Sequence, residues 1–181
     1  MKTVSTLALA ASLLLIPGTV MAADAPMMEE PGVVVDDSGA SSLEGLYATI
    51  FGVYVFGDDF TEGTGIGATL GASAISDSFI YGAALSGTAF SGGEMDGEYA
   101  VQAVGRAGFL VTDSVALSGL LGLGYETDND DYYIATGLSL DVAFNETFSL
   151  RAQYQANYIP DAGGGGPIWA HSLSGALVVG F

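Results

Sequence analysis

The sequence predicts an all-β fold: an eight-stranded antiparallel up-and-down transmembrane β-barrel preceded by a cleaved signal peptide. Three observations predict it. Eight segments of about 10 to 14 residues run from Gly45 to the last residue, several with apolar side chains at every second position. Compact turns and longer acidic or glycine-rich loops alternate between them. Aromatic residues gather at both ends of the segments.

The first element is residues 1–22, "MKTVSTLALAASLLLIPGTVMA". Lys2 precedes an apolar run, Leu7 to Ile16, then a Pro-Gly break and the small-residue pattern Val20-Met21-Ala22. That is a secretory signal peptide, and the run is too short to span a bilayer as a helix. Cleavage is expected after Ala22, with Ala23 as the neighbouring choice. Without a cysteine the mature chain cannot carry a lipid anchor at its new N-terminus, and an exported protein of this kind gains nothing from disulfides.

Residues 23–43, "ADAPMMEEPGVVVDDSGASSL", hold five carboxylates, two prolines and many small residues. They read as an acidic disordered periplasmic leader. Its one apolar run, Val33 to Val35, could instead form a short plug or an extra edge strand.

Residues 44–181 form the barrel. The strands are expected near 45–57, 64–75, 79–91, 98–111, 115–125, 132–144, 148–158 and 169–181. The short turns "ISDSF", "VTDSV" and "FNETF" set Asp, Asn or Ser between apolar shoulders, the chemistry of tight hairpins. The loops "GDDFTEG", "SGGEMDG", "ETDNDD" and "IPDAGGGGP" are longer. No stretch after the signal keeps a helical period.

Which face is inside follows from composition. Of 181 residues half are apolar and 21 are acidic, and Lys2, Arg106 and Arg151 are the only bases. Such scarcity of bases argues against nucleic-acid binding, which needs Lys and Arg at phosphates. The clearest strand alternates Phe148, Leu150, Ala152, Tyr154, Ala156 and Tyr158 with Ser149, Arg151, Gln153, Gln155 and Asn157. Strands of this length suit a bilayer, whereas soluble strands are usually about half as long. Phe79, Phe109, Phe144, Phe148 and Phe181 sit beside the short turns or at the C-terminus. Tyr54, Tyr99, Tyr125, Tyr132, Tyr158 and Trp169 sit beside the long loops. Two aromatic belts are expected where a barrel meets the two headgroup layers. The oily face therefore points to lipid and the polar face to the lumen. The same alternation directs Leu173, Gly175, Leu177 and Val179 outward in the last strand. In "DYYIATGLSLDVA" it directs Tyr133, Ala135, Gly137, Ser139 and Asp141 inward. The first strand, "GLYATIFGVYVFG", is apolar on both faces, and its facing stays open. A soluble lipocalin-like barrel is the competing architecture.

Over residues 45–181 the chain resembles the small eight-stranded outer-membrane barrels of the OmpA, OmpX and opacity-protein type. The resemblance rests on this architecture and on the terminal "ALVVGF", whose last residue, Phe181, resembles the signal such proteins present to the barrel-assembly machinery. It implies a Gram-negative outer membrane, periplasmic N- and C-termini, contact with membrane lipid and lipopolysaccharide, and folding with periplasmic chaperones, most simply as a monomer.

Function is narrowed by exclusion. His171 is the lone imidazole, position 173 is Leu, and Ser172 and Ser174 fall on the opposite strand face. Only Asp161 in a loop could join it, so His171 reads as an interfacial residue beside Trp169 and no enzyme is expected. Eight strands leave little room for a wide channel. The expectation is a non-enzymatic envelope-structural or surface-interaction protein, with a narrow pore for small solutes or ions as the alternative. No cofactor is required. In the acidic outer loops Glu126, Asp128, Asp130 and Asp131 are candidate ligands for Ca²⁺ or Mg²⁺, though "ETDNDD" lacks the central glycine and distal Glu of a calcium loop. Otherwise these loops form a solvated acidic rim. Finally, a hairpin that pairs Phe144 with Phe148 sets Asp141 directly opposite Arg151, and alternation turns Arg106 inward. An interior network of Asp141, Arg151 and Arg106, extended by Gln102, Gln153 and Gln155, is expected to pin register and close the lumen toward the periplasmic end.

Overall fold

The computed structural model describes residues 41–57, 62–92, 95–127, 131–160 and 166–181. Eight strands follow in chain order: β1 (Gly45–Gly57), β2 (Gly63–Ser76), β3 (Phe79–Ser91), β4 (Tyr99–Thr112), β5 (Val115–Glu126), β6 (Asp131–Ala143), β7 (Phe148–Ile159) and β8 (Ile168–Gly180). Each pairs antiparallel with its sequence neighbour, and β1 pairs with β8 to close the barrel. No strand end departs from its expected place by more than one residue. Closure leaves no sheet edge unpaired, which a bilayer requires.

The short turns are held by their own side chains. The Asn145 carboxamide oxygen accepts from the backbone N–H groups of Thr147 at 2.9 Å and Phe148 at 2.8 Å. Thr112 Oγ1 accepts from Ser114 N at 3.3 Å. Asp77 takes a left-handed φ of 54°, a conformation short polar side chains tolerate.

Polarity is inverted relative to a soluble protein. Ile50, Ile66, Leu70, Leu121 and Leu123 are each at least 66% exposed, while Thr49, Ser118, Ser139, Asp141 and Ser149 are buried. The aromatics named above lie on the outer face at the two strand ends, and several stack in pairs. Phe79 meets Phe109, Tyr125 meets Tyr132 and Tyr158 meets Trp169, with ring centroids 5.0–5.5 Å apart. Registry also settles β1. Tyr47 pairs with Gly180 and Gly71, both inward positions, so Tyr47, Thr49, Phe51, Val53 and Val55 face the lumen. Leu46, Ile50 and Tyr54 face out.

One glycine is demanded by the wall itself. A Cβ on Gly108, which points inward from β4, would overlap the Leu117 carbonyl and Ser118 Cα across the β4–β5 pair. Backbone atoms cannot step aside as a flexible side chain can. Gly108→Ala is therefore expected to cost about 1–3 kcal/mol of stability, measured by urea unfolding from lipid vesicles. Gly52→Ala, where a Cβ meets nothing within 4 Å, is the neutral comparison.

Residues 41–43, the end of the segment expected to be a disordered leader, form a 3-10 turn, Ser41–Leu43. Ser42 and Leu43 are 2% and 3% exposed, and Leu43 packs with inward Ile80, Ala116 and Ala143. Its carbonyl accepts a 2.6 Å hydrogen bond from Ser73 Oγ. The chain thus tucks into the short-turn end of the lumen before β1 begins. An apolar Leu fits there because that end is lined by Ile and Ala. The rest of the leader, including Val33–Val35, and the signal segment lie outside the described residues.

Candidate functional site

The lumen is built in layers, because each strand contributes one inward side chain per two residues. Above the Leu43 cluster lies a charged floor. Asp141, fully buried on β6, accepts from Arg151 Nε on β7 at 2.6 Å and faces Arg106 Nη1 on β4 at 3.4 Å. Ser139 Oγ approaches the same carboxylate at 3.5 Å. The Arg151 guanidinium also lies over the Tyr47 ring of β1, 4.9 Å from its centroid. Four strands are tied across the lumen at one level, and the floor carries two guanidinium groups against one carboxylate.

The sequence-predicted network is assembled in part as expected. Asp141 and Arg151 are directly opposite in register, and Arg106 reaches the same carboxylate from two strands away. Gln102 Nε2 donates to Gln155 Oε1 at 3.5 Å, joining β4 to β7 two layers higher. Gln153 lines the cavity, with no hydrogen bond to this set among the described contacts.

From the floor upward, past these glutamines, the lumen holds a cavity of about 620 Å³ that reaches the long-loop end. Its upper wall is apolar: Val55, Met95, Ala100, Tyr133, Ile159 and Ala170 cluster there, with Val53, Phe90 and Ile168 against them. The Tyr133 ring lies where a Cβ on Gly124 would be, so a glycine is needed opposite it. Sequence reasoning turned Tyr133 and Ala135 inward but missed the β1 share of this stripe, Val53 and Val55, because β1 is apolar on both faces. Closure supplies what the strand itself lacks: Phe181 faces out, so Gly180 faces in, and its register partner Tyr47 does too.

Carboxylates line one side of the mouth, where β4, β5 and β6 end. Glu126 and Asp131 are register partners at the ends of β5 and β6, both line the cavity, and Glu98 joins them while only 8% exposed. The expected solvated rim is thus, at these three positions, turned into the barrel mouth. Their strands' alternation points them inward, and like charges are brought together there. Of the candidate cation ligands, Asp128 and Asp130 lie outside the described residues. Among the described residues no group of three or more acidic or His side chains is arranged to hold a metal ion.

His171 faces outward on β8, its ring stacked between Phe56 and Tyr154, with Nδ1 2.9 Å from the Tyr154 hydroxyl. Ser172 is on the buried face. Phe181 is 73% exposed on the outer face, its N–H bonded to the Leu46 carbonyl at 3.0 Å.

Comparison with known proteins agrees with this architecture. Residues 56–167 match a family model described as "Protein of unknown function, DUF481". No curated protein matches the chain by sequence. Among solved structures, Neisserial surface protein A is similar with a TM-score of 0.57 at 16% identity, over 76% of this chain and 98% of that one. A de novo designed transmembrane β-barrel gives 0.51 at 10% identity, over 75% of this chain and 95% of its own. Ail, the attachment invasion locus protein of Yersinia pestis, gives 0.50 at 16% identity, over 76% and 99%. At these identities the likeness is one of fold.

Proposed function

For a chain that belongs to the DUF481 family, proteins of unknown function, the role must be read from the barrel, and we propose a non-conducting, non-enzymatic outer-membrane protein of the Gram-negative envelope. Its short turns and both termini face the periplasm, and its long acidic loops face the exterior. The role is envelope-structural or surface-interacting, consistent with neighbours whose names speak of a surface protein and of attachment and invasion. Lipid and lipopolysaccharide surround it, most simply around a monomer. Carboxylates at the long-loop end would meet lipopolysaccharide phosphates through Ca²⁺ or Mg²⁺. Phe181 would present the chain to the barrel-assembly machinery after periplasmic chaperones deliver it.

The observation that carries this reading is the inversion of polarity: apolar side chains cover the outer wall while Asp141 and Arg106 are buried inside. In water such a surface would aggregate; in lipid it is solvated. The floor argues against the narrow pore, since Asp141, Arg106, Arg151 and Tyr47 meet across the lumen at one level and Leu43 is buried beneath them. In planar bilayers the refolded protein is expected to give no resolved conductance steps. Reproducible steps would favour the pore instead. Fractionation of expressing cells should place the protein with the outer membrane.

A further inference from the structure

We propose that the lumen is a binding pocket for a short peptide, its C-terminal carboxylate on Arg106 at the floor and its ammonium among the carboxylates of the mouth. The cavity, about 620 Å³, falls in the range of small-ligand sites. An eight-stranded barrel can hold one such molecule.

The floor supplies the anion site. Arg106 is 6% exposed and lines the cavity, yet its Nε and Nη2 have no hydrogen-bond partner in the protein. A buried charged donor without a partner is costly, and two adjacent guanidinium donors fit a carboxylate in a bidentate manner. Charge points the same way. Two arginines face one aspartate there, so an entering anion brings the floor to neutrality.

Other groups set the length and chemistry of the ligand. Gln155 Nε2 and Asn157 Oδ1, on the wall between floor and mouth, are also buried without partners, one a donor and one an acceptor. Both are groups that backbone amides satisfy. Phe51 and Val53 on the cavity wall from β1 offer an apolar side for small side chains. At the mouth Glu98, Glu126 and Asp131 favour a cation and repel a free anion. Arg106 is six residues along β4 from Ala100, the register partner of Glu126. At about 3.3 Å per residue that is roughly 20 Å along a tilted strand, and less along the barrel axis. Four or five extended residues span it. That the mouth opens to the exterior rests on the orientation proposed above, whereas binding itself does not.

The test is calorimetric titration of the detergent-refolded barrel with tetra-alanine, its C-terminal amide, its N-acetyl derivative and sodium acetate. Tetra-alanine should bind saturably, and blocking either end should weaken it by tenfold or more. Arg106→Gln, which leaves the Asp141–Arg151 pair in place, should bind acid and amide alike. If that variant yields no folded band on unheated gels, the comparison of acid and amide on the native protein decides. No saturable heat with tetra-alanine, or equal affinity for acid and amide, overturns the proposal. Acetate binding as tightly as the peptide reduces the site to an anion hole and also overturns it. Because the titration is done in detergent, failure of the outer-membrane assignment would show in fractionation and leave this result standing.

Discussion

Asp141→Ala is expected to lower the thermal midpoint of the folded band on unheated gels, by a loss of about 3–5 kcal/mol. The carboxylate is fully buried and serves two guanidinium groups, Arg151 at 2.6 Å and Arg106 at 3.4 Å. Its removal leaves both cations in the lumen with no counter-charge at their level. A buried pair need not add net stability over an apolar replacement, but stranding a charge is expensive. The order of variants follows. Arg151→Met alone should cost less than Asp141→Ala, because Asp141 keeps Arg106. Asp141→Ala with Arg151→Met should recover part of the loss, and adding Arg106→Met should recover more, since no charge then remains at the floor. Fully additive losses along this series would mean that the three side chains are not coupled. Equal midpoints for Asp141→Ala and the native protein would mean that water penetrates the floor.

Leu121→Arg is expected to destabilise the barrel in phospholipid vesicles by about 2–4 kcal/mol, the cost of an arginine on the lipid face near the membrane midplane. Leu121 lies near the middle of β5, points outward and is 66% exposed. Its register partners Gly105 and Thr136 are small, so an arginine meets no steric obstacle. The cost is therefore one of solvation alone. Leu117→Arg, nearer the short turns, should cost less because the side chain can reach the headgroups. Equilibrium refolding in urea measures both. If Leu121→Arg were neutral, the outer wall would be facing water and a soluble barrel would explain the chain better.

These two experiments probe features that differ in how they could be read. The outer wall was legible residue by residue. In β7 the alternation from Phe148 to Tyr158 stands out because every lipid position is apolar and every lumen position is polar. The Asp141–Arg151 contact followed from one hairpin, since a three-residue turn between Phe144 and Phe148 leaves a single register. Arg106 could be turned inward by alternation, but not brought to the same carboxylate. That contact joins strands two apart, across β5, and has no short-range sequence signature.

Period-two polarity and turn chemistry are properties of neighbours along the chain. They suffice for eight strands, their ends to within a residue, the lipid face and the hairpin partners. The facing of β1, the cavity with its apolar stripe, and the seating of Leu43 beneath the floor depend on closure. A strand such as β1 that is oily on both faces carries no local preference, and it acquires one only when β8 and β2 pair with it on either side. The cavity exists for the same reason. Its volume is what remains after eight walls meet and their inward side chains fill the centre, and no single segment contains that quantity.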